Sequence, residues 1–178
     1  MTLALFDLDN TLLDGDSDYL WGCFLVEHGL VDRELYESEN QRFYDQYVEG
    51  SLDIQEFLRF QLRPLATYRR TQLEDWREQY LASKIEPIVL PKARDLLERH
   101  RARGDELVII TATNRFITEP IARRLGVVHL IATEAEMIAG EYTGNVAGTP
   151  SFQAGKVTRL HAWLQQHQQS LEHSWFYS

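Results

Sequence analysis

The chain has 178 residues, of which 44% are hydrophobic and 25% charged, with a formal net charge of −9. That composition supports a buried core, as one domain or one domain with an insert. It argues against a nucleic-acid backbone as partner, because such partners favour clustered Lys and Arg. No apolar run approaches the roughly 20 residues of a membrane helix, and no basic region precedes an apolar stretch at the N-terminus. With Cys23 as the single cysteine there is no internal disulfide. The expectation is a cytoplasmic protein without a membrane partner.

The first element is an apolar strand, Leu3, Ala4, Leu5 and Phe6, which ends at Asp7 and Asp9 and leads into Asn10 and Thr11. Side chains at i and i+2 of an extended chain share one face, so the two carboxylates can reach one small volume at the strand's carboxyl end. There one could attack phosphorus while the other moves protons, and the pair could bind Mg²⁺ through hard oxygen ligands. The same residues also suit a solvated acidic turn that caps a helix.

Residues 16 to 86 carry helix signals and almost no strand pattern, which predicts a helical insert. Ser17 can cap a first helix with Leu20, Trp21, Phe24 and Leu25 on one stripe and Gly29 as terminator. Asp32 and Gly50 bracket a second. Asp53 and Glu56 have capping-box spacing ahead of a third, which Pro64 should stop or kink. Thr71 and Glu74 repeat that spacing before a fourth.

From Pro91 the rhythm becomes alternating helix and strand. A helix closing at Gly104 leads to the apolar run Leu107, Val108, Ile109 and Ile110, which reads as a strand buried on both faces. A helix over 116–125, a short strand near 127–132, a hairpin turning at Gly140, a helix over about 155–168 and a last strand at Trp175, Phe176 and Tyr177 follow. This order implies right-handed crossovers and a parallel sheet in an α/β fold.

Thr111 directly follows the buried run, so its hydroxyl and the next backbone N–H, that of Ala112, would emerge at a strand's carboxyl end, where an anion would sit. An ordinary polar turn is the other reading. Lys156 follows Gly155 at the start of a helix, where a cation is slightly unfavourable unless it answers an anion. It could also be a solvated surface lysine. The six histidines show no zinc-ligand spacing.

In this order, the Asp7 to Thr11 motif, a hydroxyl residue after a second buried strand and a lysine heading a helix resemble the haloacid dehalogenase superfamily of phosphohydrolases. The helical insert and the run from Thr111 to Thr118 are similar to its phosphoserine phosphatase-like subfamily. The resemblance implies a Rossmann-like core, residues 1–15 and 87–178, with a helical cap, residues 16–86. It implies Asp7 as nucleophile forming an aspartyl-phosphate, Asp9 as acid and base, and Thr111, Ala112 and Lys156 on the phosphate. Mg²⁺ would be held by Asp7 and the Asp9 backbone carbonyl. Asp16 stands where the phosphoserine phosphatases have a glutamate for the substrate amino group, and Arg59 where they have a carboxylate-binding arginine; for Arg59 an exposed helix position is the other reading. The shorter Asp16 leaves room for a bulkier amine, so histidinol phosphate competes with phosphoserine as the small phosphorylated metabolite bound.

The family's fourth motif, an acidic loop after a further strand, has no counterpart before Ser178. The expectation is a C-terminally truncated hydrolase with impaired turnover. The alternatives are a non-catalytic phospholigand-binding protein and a phosphotransferase.

Overall fold

The computed structural model describes residues 2–178. Five strands form one sheet in the order β4-β3-β2-β1-β5: β1 Leu3–Phe6, β2 Glu106–Asn114, β3 His129–Ile138, β4 Glu141–Ala147 and β5 Trp175–Tyr177. β1 runs parallel to β2 and to β5, β2 runs parallel to β3, and only β4 is antiparallel, as the return arm of the Gly140 hairpin. This is an α/β fold with a mostly parallel sheet, as the alternating pattern after Pro91 predicts.

The pleat of β1 explains how the sheet is sandwiched. Ala4 and Phe6 point into the larger core with Ile109 and Ala132, against Trp21, Leu97, Ile117 and Ile121. Leu3 and Leu5 point the other way, with Val108, Ile110 and Ile131, against Trp163 and Leu164 of the helix α7, Ala154–His167. Continuous apolar runs are what strands covered on both faces require.

Four helices lie between β1 and β2: α1 Ser17–Glu27, α2 Arg33–Glu49, α3 Ile54–Thr67 and α4 Arg70–Tyr80. A π-helical turn at Leu81–Ile85 and a 3₁₀ turn at Glu86–Ile88 lead back to the core helix α5, Pro91–Ala102, and α6, Arg115–Arg124, joins β2 to β3. The outgoing and returning chains pair at Leu13 and Val89, and Leu90 N donates to Leu12 O at 3.1 Å. The helical segment is therefore tied to the sheet through a narrow neck.

Several local expectations need correction. Asp16, not Ser17, caps α1, accepting from Tyr19 N at 2.9 Å. Pro64 does not stop α3, which continues to Thr67 because Leu62 and Leu65, 0% and 1% exposed, anchor the turns on either side of it. Nor do Thr71 and Glu74 cap α4. The carboxylate of Glu141 in β4 reaches the Arg70 N–H at 2.9 Å, and Glu74 pairs with Arg70 instead. That partner is 71 residues away in the chain, where local spacing cannot see it. Finally, β2 does not end with its apolar run but continues through Thr111, Thr113 and Asn114, with a register irregularity after Ile110.

Candidate active site

The site forms at the carboxyl edge of β1 and β2, where parallel α/β sheets place ligands. Asp7 follows the last residue of β1, and its N–H donates to Tyr177 O of β5 at 2.8 Å. Leu8 turns inward and is fully buried. Asp7 and Asp9 therefore face the opposite side. Asn10 then adopts a left-handed conformation, φ 57°, that asparagine tolerates. Three amides, of Thr11, Leu12 and Leu13, converge on Leu8 O. That turn holds the two carboxylates at a fixed spacing.

Lys156, in the first turn of α7, points at them: its Nζ lies 3.0 Å from Asp7 Oδ2. Its position depends on Gly155, because a Cβ there would fall 2.1 Å from Pro150 O. Asp9 is held from two sides. Its Oδ1 accepts from Ser17 N at 2.7 Å, and its Oδ2 from Thr113 Oγ1 at 2.9 Å and Thr111 Oγ1 at 3.4 Å. Thr111 in turn accepts from Thr113 N at 3.1 Å.

Burial pushes the Asp9 carboxyl above its ordinary value, and the negative charge of Asp16 adds to the effect; the Ser17 and Thr113 hydrogen bonds partly offset both. A carboxyl so raised keeps its proton to higher pH than a free one, the direction that proton donation requires. Asp18 is pushed further up, by enclosure first and then by Asp16 and Asp9.

These groups open onto a cavity of about 940 Å³ whose other walls come from α1, α2 and α3. Asp7, Asp9, Thr111, Ala112 and Lys156 line its floor, and Asp16 lines its side. Arg59 does not join them. It is exposed, its Nε donates to Gln55 O at 3.2 Å, and it borders a separate shallow groove with Arg42 and Arg63. The α3 residues that face the cavity are Ile54, Phe57, Leu58, Gln61 and Leu62. The arginine on the cavity wall is Arg33, which pairs with Glu37 at 3.4 Å. Motif order singles out neither Thr113 nor Asp18. Thr113 could have been found from its i+2 spacing to Thr111, which in a continued strand shares that face.

Paired carboxylates, a threonine and a lysine at the edge of a parallel sheet define a hydrolase of phosphate esters, and comparison with known proteins gives its family. The model of the haloacid dehalogenase-like hydrolases matches residues 4–178. The chain belongs to that family and is one of its phosphatases. It is 42% identical over 180 residues to a histidinol-phosphatase of Neisseria meningitidis serogroup C, an alignment covering 99% of this chain and 81% of the relative. A probable phosphatase of Mycobacterium tuberculosis is 28% identical over 179 residues, 99% of this chain and 62% of that protein. Among solved structures, a protein of unknown function from Bordetella pertussis Tohama I superposes with a TM-score of 0.91 at 41% identity, over 99% of this chain and 82% of the other. A substrate-bound phosphoserine phosphatase shares the fold at a TM-score of 0.68 and 19% identity, over 98% of this chain and 76% of the other. No helix among the described residues is long and apolar enough to cross a membrane.

Proposed function

We propose that this phosphatase hydrolyses the phosphate monoester of a small amino alcohol, with histidinol phosphate preferred over phosphoserine. The observation that carries the reading is the charge of the cavity. Six carboxylates line it, those of Asp7, Asp9, Asp16, Asp18, Glu27 and Glu37, against two cations, Lys156 and Arg33. Lys156 is engaged with Asp7, Arg33 with Glu37, and Glu27 with Lys84, which leaves Asp9, Asp16 and Asp18 without a cation among the described residues. Such a wall suits an amine and repels a free carboxylate. The similarity to a histidinol-phosphatase points the same way.

In the mechanism we propose, an Asp7 carboxylate oxygen attacks phosphorus and the ester P–O bond breaks. Asp9 gives its proton to the departing alcohol oxygen. In the second half Asp9 takes a proton from water, the water oxygen attacks the aspartyl-phosphate at phosphorus, and Asp7 is released with inorganic phosphate. Lys156, the Thr111 hydroxyl and the Ala112 N–H would hold the non-bridging oxygens as charge redistributes between them. Thr113 and the Ser17 amide orient Asp9. The hard oxygen donors of Asp7 and the Asp9 carbonyl suit Mg²⁺, which keeps several waters of its own, and the ion would supply further neutralisation of the phosphoryl charge. The four helices between the Leu13 and Val89 neck would form a cap, residues 16–86 over a core of 1–15 and 87–178, that limits water and selects the alcohol.

The experiment is a comparison of kcat/KM for histidinol phosphate and phosphoserine with Mg²⁺ present, alongside Asp7→Asn. The expected result is a preference of at least tenfold for histidinol phosphate in the wild type and loss of turnover in the variant. Equal turnover in Asp7→Asn would remove Asp7 as nucleophile, and a preference for phosphoserine would overturn the substrate.

A further inference from the structure

Among the described residues, the enclosed carboxylates are met by donors, with one exception. Asp7 has Lys156, Asp9 has the Ser17 amide and two threonines, Asp105 has His100, Glu134 has Arg115 and Arg159, and Glu106 has Gln169 and His129. Asp18 has only Asn114 Nδ2, at 3.4 Å, and the charges that act on it are the like charges of Asp16 and Asp9. A half-buried carboxylate beside like charges favours a counter-charge or several donors. Among the described residues Asp18 finds neither.

Its surroundings show where that partner would come from. Asp18 lines the large cavity and is half-buried there. Tyr36 lines the same cavity. It is 7% exposed, and its hydroxyl is buried without a hydrogen-bond partner, pressed against Gly22, where a Cβ would lie 1.4 Å from the oxygen. Asn114, which reaches toward Asp18, is fixed at its other amide atom, since its Oδ1 accepts from Ile117 N and caps α6. The Asp18 carboxylate thus lies near the strand that carries Thr111, on the same cavity as Asp7, Thr111 and Lys156. Tyr19, Tyr44 and Tyr47 add exposed aromatic rings to the same walls, and such rings accept cations on their faces.

We propose that Asp18 is the specificity-determining residue of this site and pairs with the cationic head of the substrate alcohol, an ammonium or imidazolium, while the phosphate lies at Asp7, Thr111 and Lys156. This rests on the function proposed above and adds to it a residue that neither the motif order nor the position of Asp16 supplies. The ligand class it selects is a short phosphorylated alcohol with a positive group and no free carboxylate. Asp16, exposed at the start of α1, would act as an outer carboxylate for the same charge.

The test has two arms, each run on the wild type, Asp18→Asn and Asp18→Glu. In the first, thermal unfolding is followed with and without histidinol, the alcohol without its phosphate, at millimolar concentration. Histidinol is expected to raise the wild-type midpoint by several degrees, to leave Asp18→Asn within one degree, and to shift Asp18→Glu by an intermediate amount. In the second, kcat/KM is measured for histidinol phosphate and for p-nitrophenyl phosphate. The ratio of the two is expected to fall at least tenfold in Asp18→Asn and to recover in part in Asp18→Glu. An equal histidinol shift in wild type and Asp18→Asn, no shift in the wild type, or a ratio unchanged within about twofold would each overturn the inference. The histidinol arm needs no turnover, so it decides this point even if the wild type cleaves neither ester, a result that would count against the proposed function instead.

Discussion

Lys156 Nζ lies 3.0 Å from Asp7 Oδ2 across 149 residues of sequence. The contact brings the first turn of α7 to the end of β1, and it puts the ammonium where a phosphoryl group on Asp7 would carry its charge. Lys156→Ala should therefore lower kcat by about 10²–10³, the usual effect of removing one donor that meets charge in the transition state. Lys156→Arg should recover little of it, since a planar fork does not replace a point charge. Steady-state kinetics on an aryl phosphate measures both, and a loss smaller than about fivefold in Lys156→Ala would remove the lysine from the phosphate site.

Thr113 gives a prediction about pH. Its hydrogen bond, at 2.9 Å, stabilises the ionised form of Asp9 and holds the carboxyl below where burial alone would put it. In Thr113→Val that support is lost, so the Asp9 pKa rises. The limb on which rate falls as Asp9 gives up its proton should move to higher pH, and the limb that needs ionised Asp9 should move with it. A pH profile of kcat/KM that lies in the same place for wild type and variant would disconnect Thr113 from the acid and base.

Much of this site is legible in the sequence because its parts are set by local rules. Leu3 to Phe6 must be a strand covered on both faces, and the i, i+2 spacing then puts Asp7 and Asp9 on one side. Lys156 is legible only through the order of motifs, since nothing local says which way a lysine at a helix start will turn. Thr113 is hidden because the apolar run stops at Ile110, whereas β2 continues through polar residues. Arg59 depended on helix phase. Leu58, Leu62 and Leu65 are the buried residues of α3, and a residue one step after Leu58 is rotated by about 100°, which carries Arg59 to the outside. Asp18 has no sequence signal, because the cavity wall it shares with Tyr36 of α2 and Asn114 of β2 is assembled from separate elements.

Gly155 is required by space. The Cβ of an alanine would fall 2.1 Å from Pro150 O and 3.2 Å from the Thr149 methyl group, and backbone must shift to admit it. Gly155→Ala should destabilise by about 1–3 kcal/mol, as overpacking does, and should displace Lys156 from Asp7. Urea unfolding reports the first effect and kcat the second. A variant with wild-type stability and wild-type kcat would show that α7 can move without cost to the site.

Asp18 gives the last prediction, on stability and independent of any ligand. Its carboxyl is raised well above the ordinary 3.8 by enclosure, then by Asp16 and Asp9. With the folded pKa above the unfolded one, the folded state binds more protons between the two values, and stability falls as pH rises through that window. Below the unfolded value the group is protonated in both states and costs nothing; above the folded value the full cost is present. Asp18→Asn keeps the shape and removes the charge, so it should raise the midpoint of thermal unfolding at pH 7, by about 2–4 °C for each kcal/mol relieved in a chain of this size. The gain should shrink toward zero as pH falls through the window to about 3.8. A residue that costs stability while lining a cavity is what a binding role selects for. Scans of both proteins from pH 4 to pH 8 measure the difference, and a midpoint that is lower in Asp18→Asn at pH 7 would mean that the carboxylate has a partner inside the protein after all.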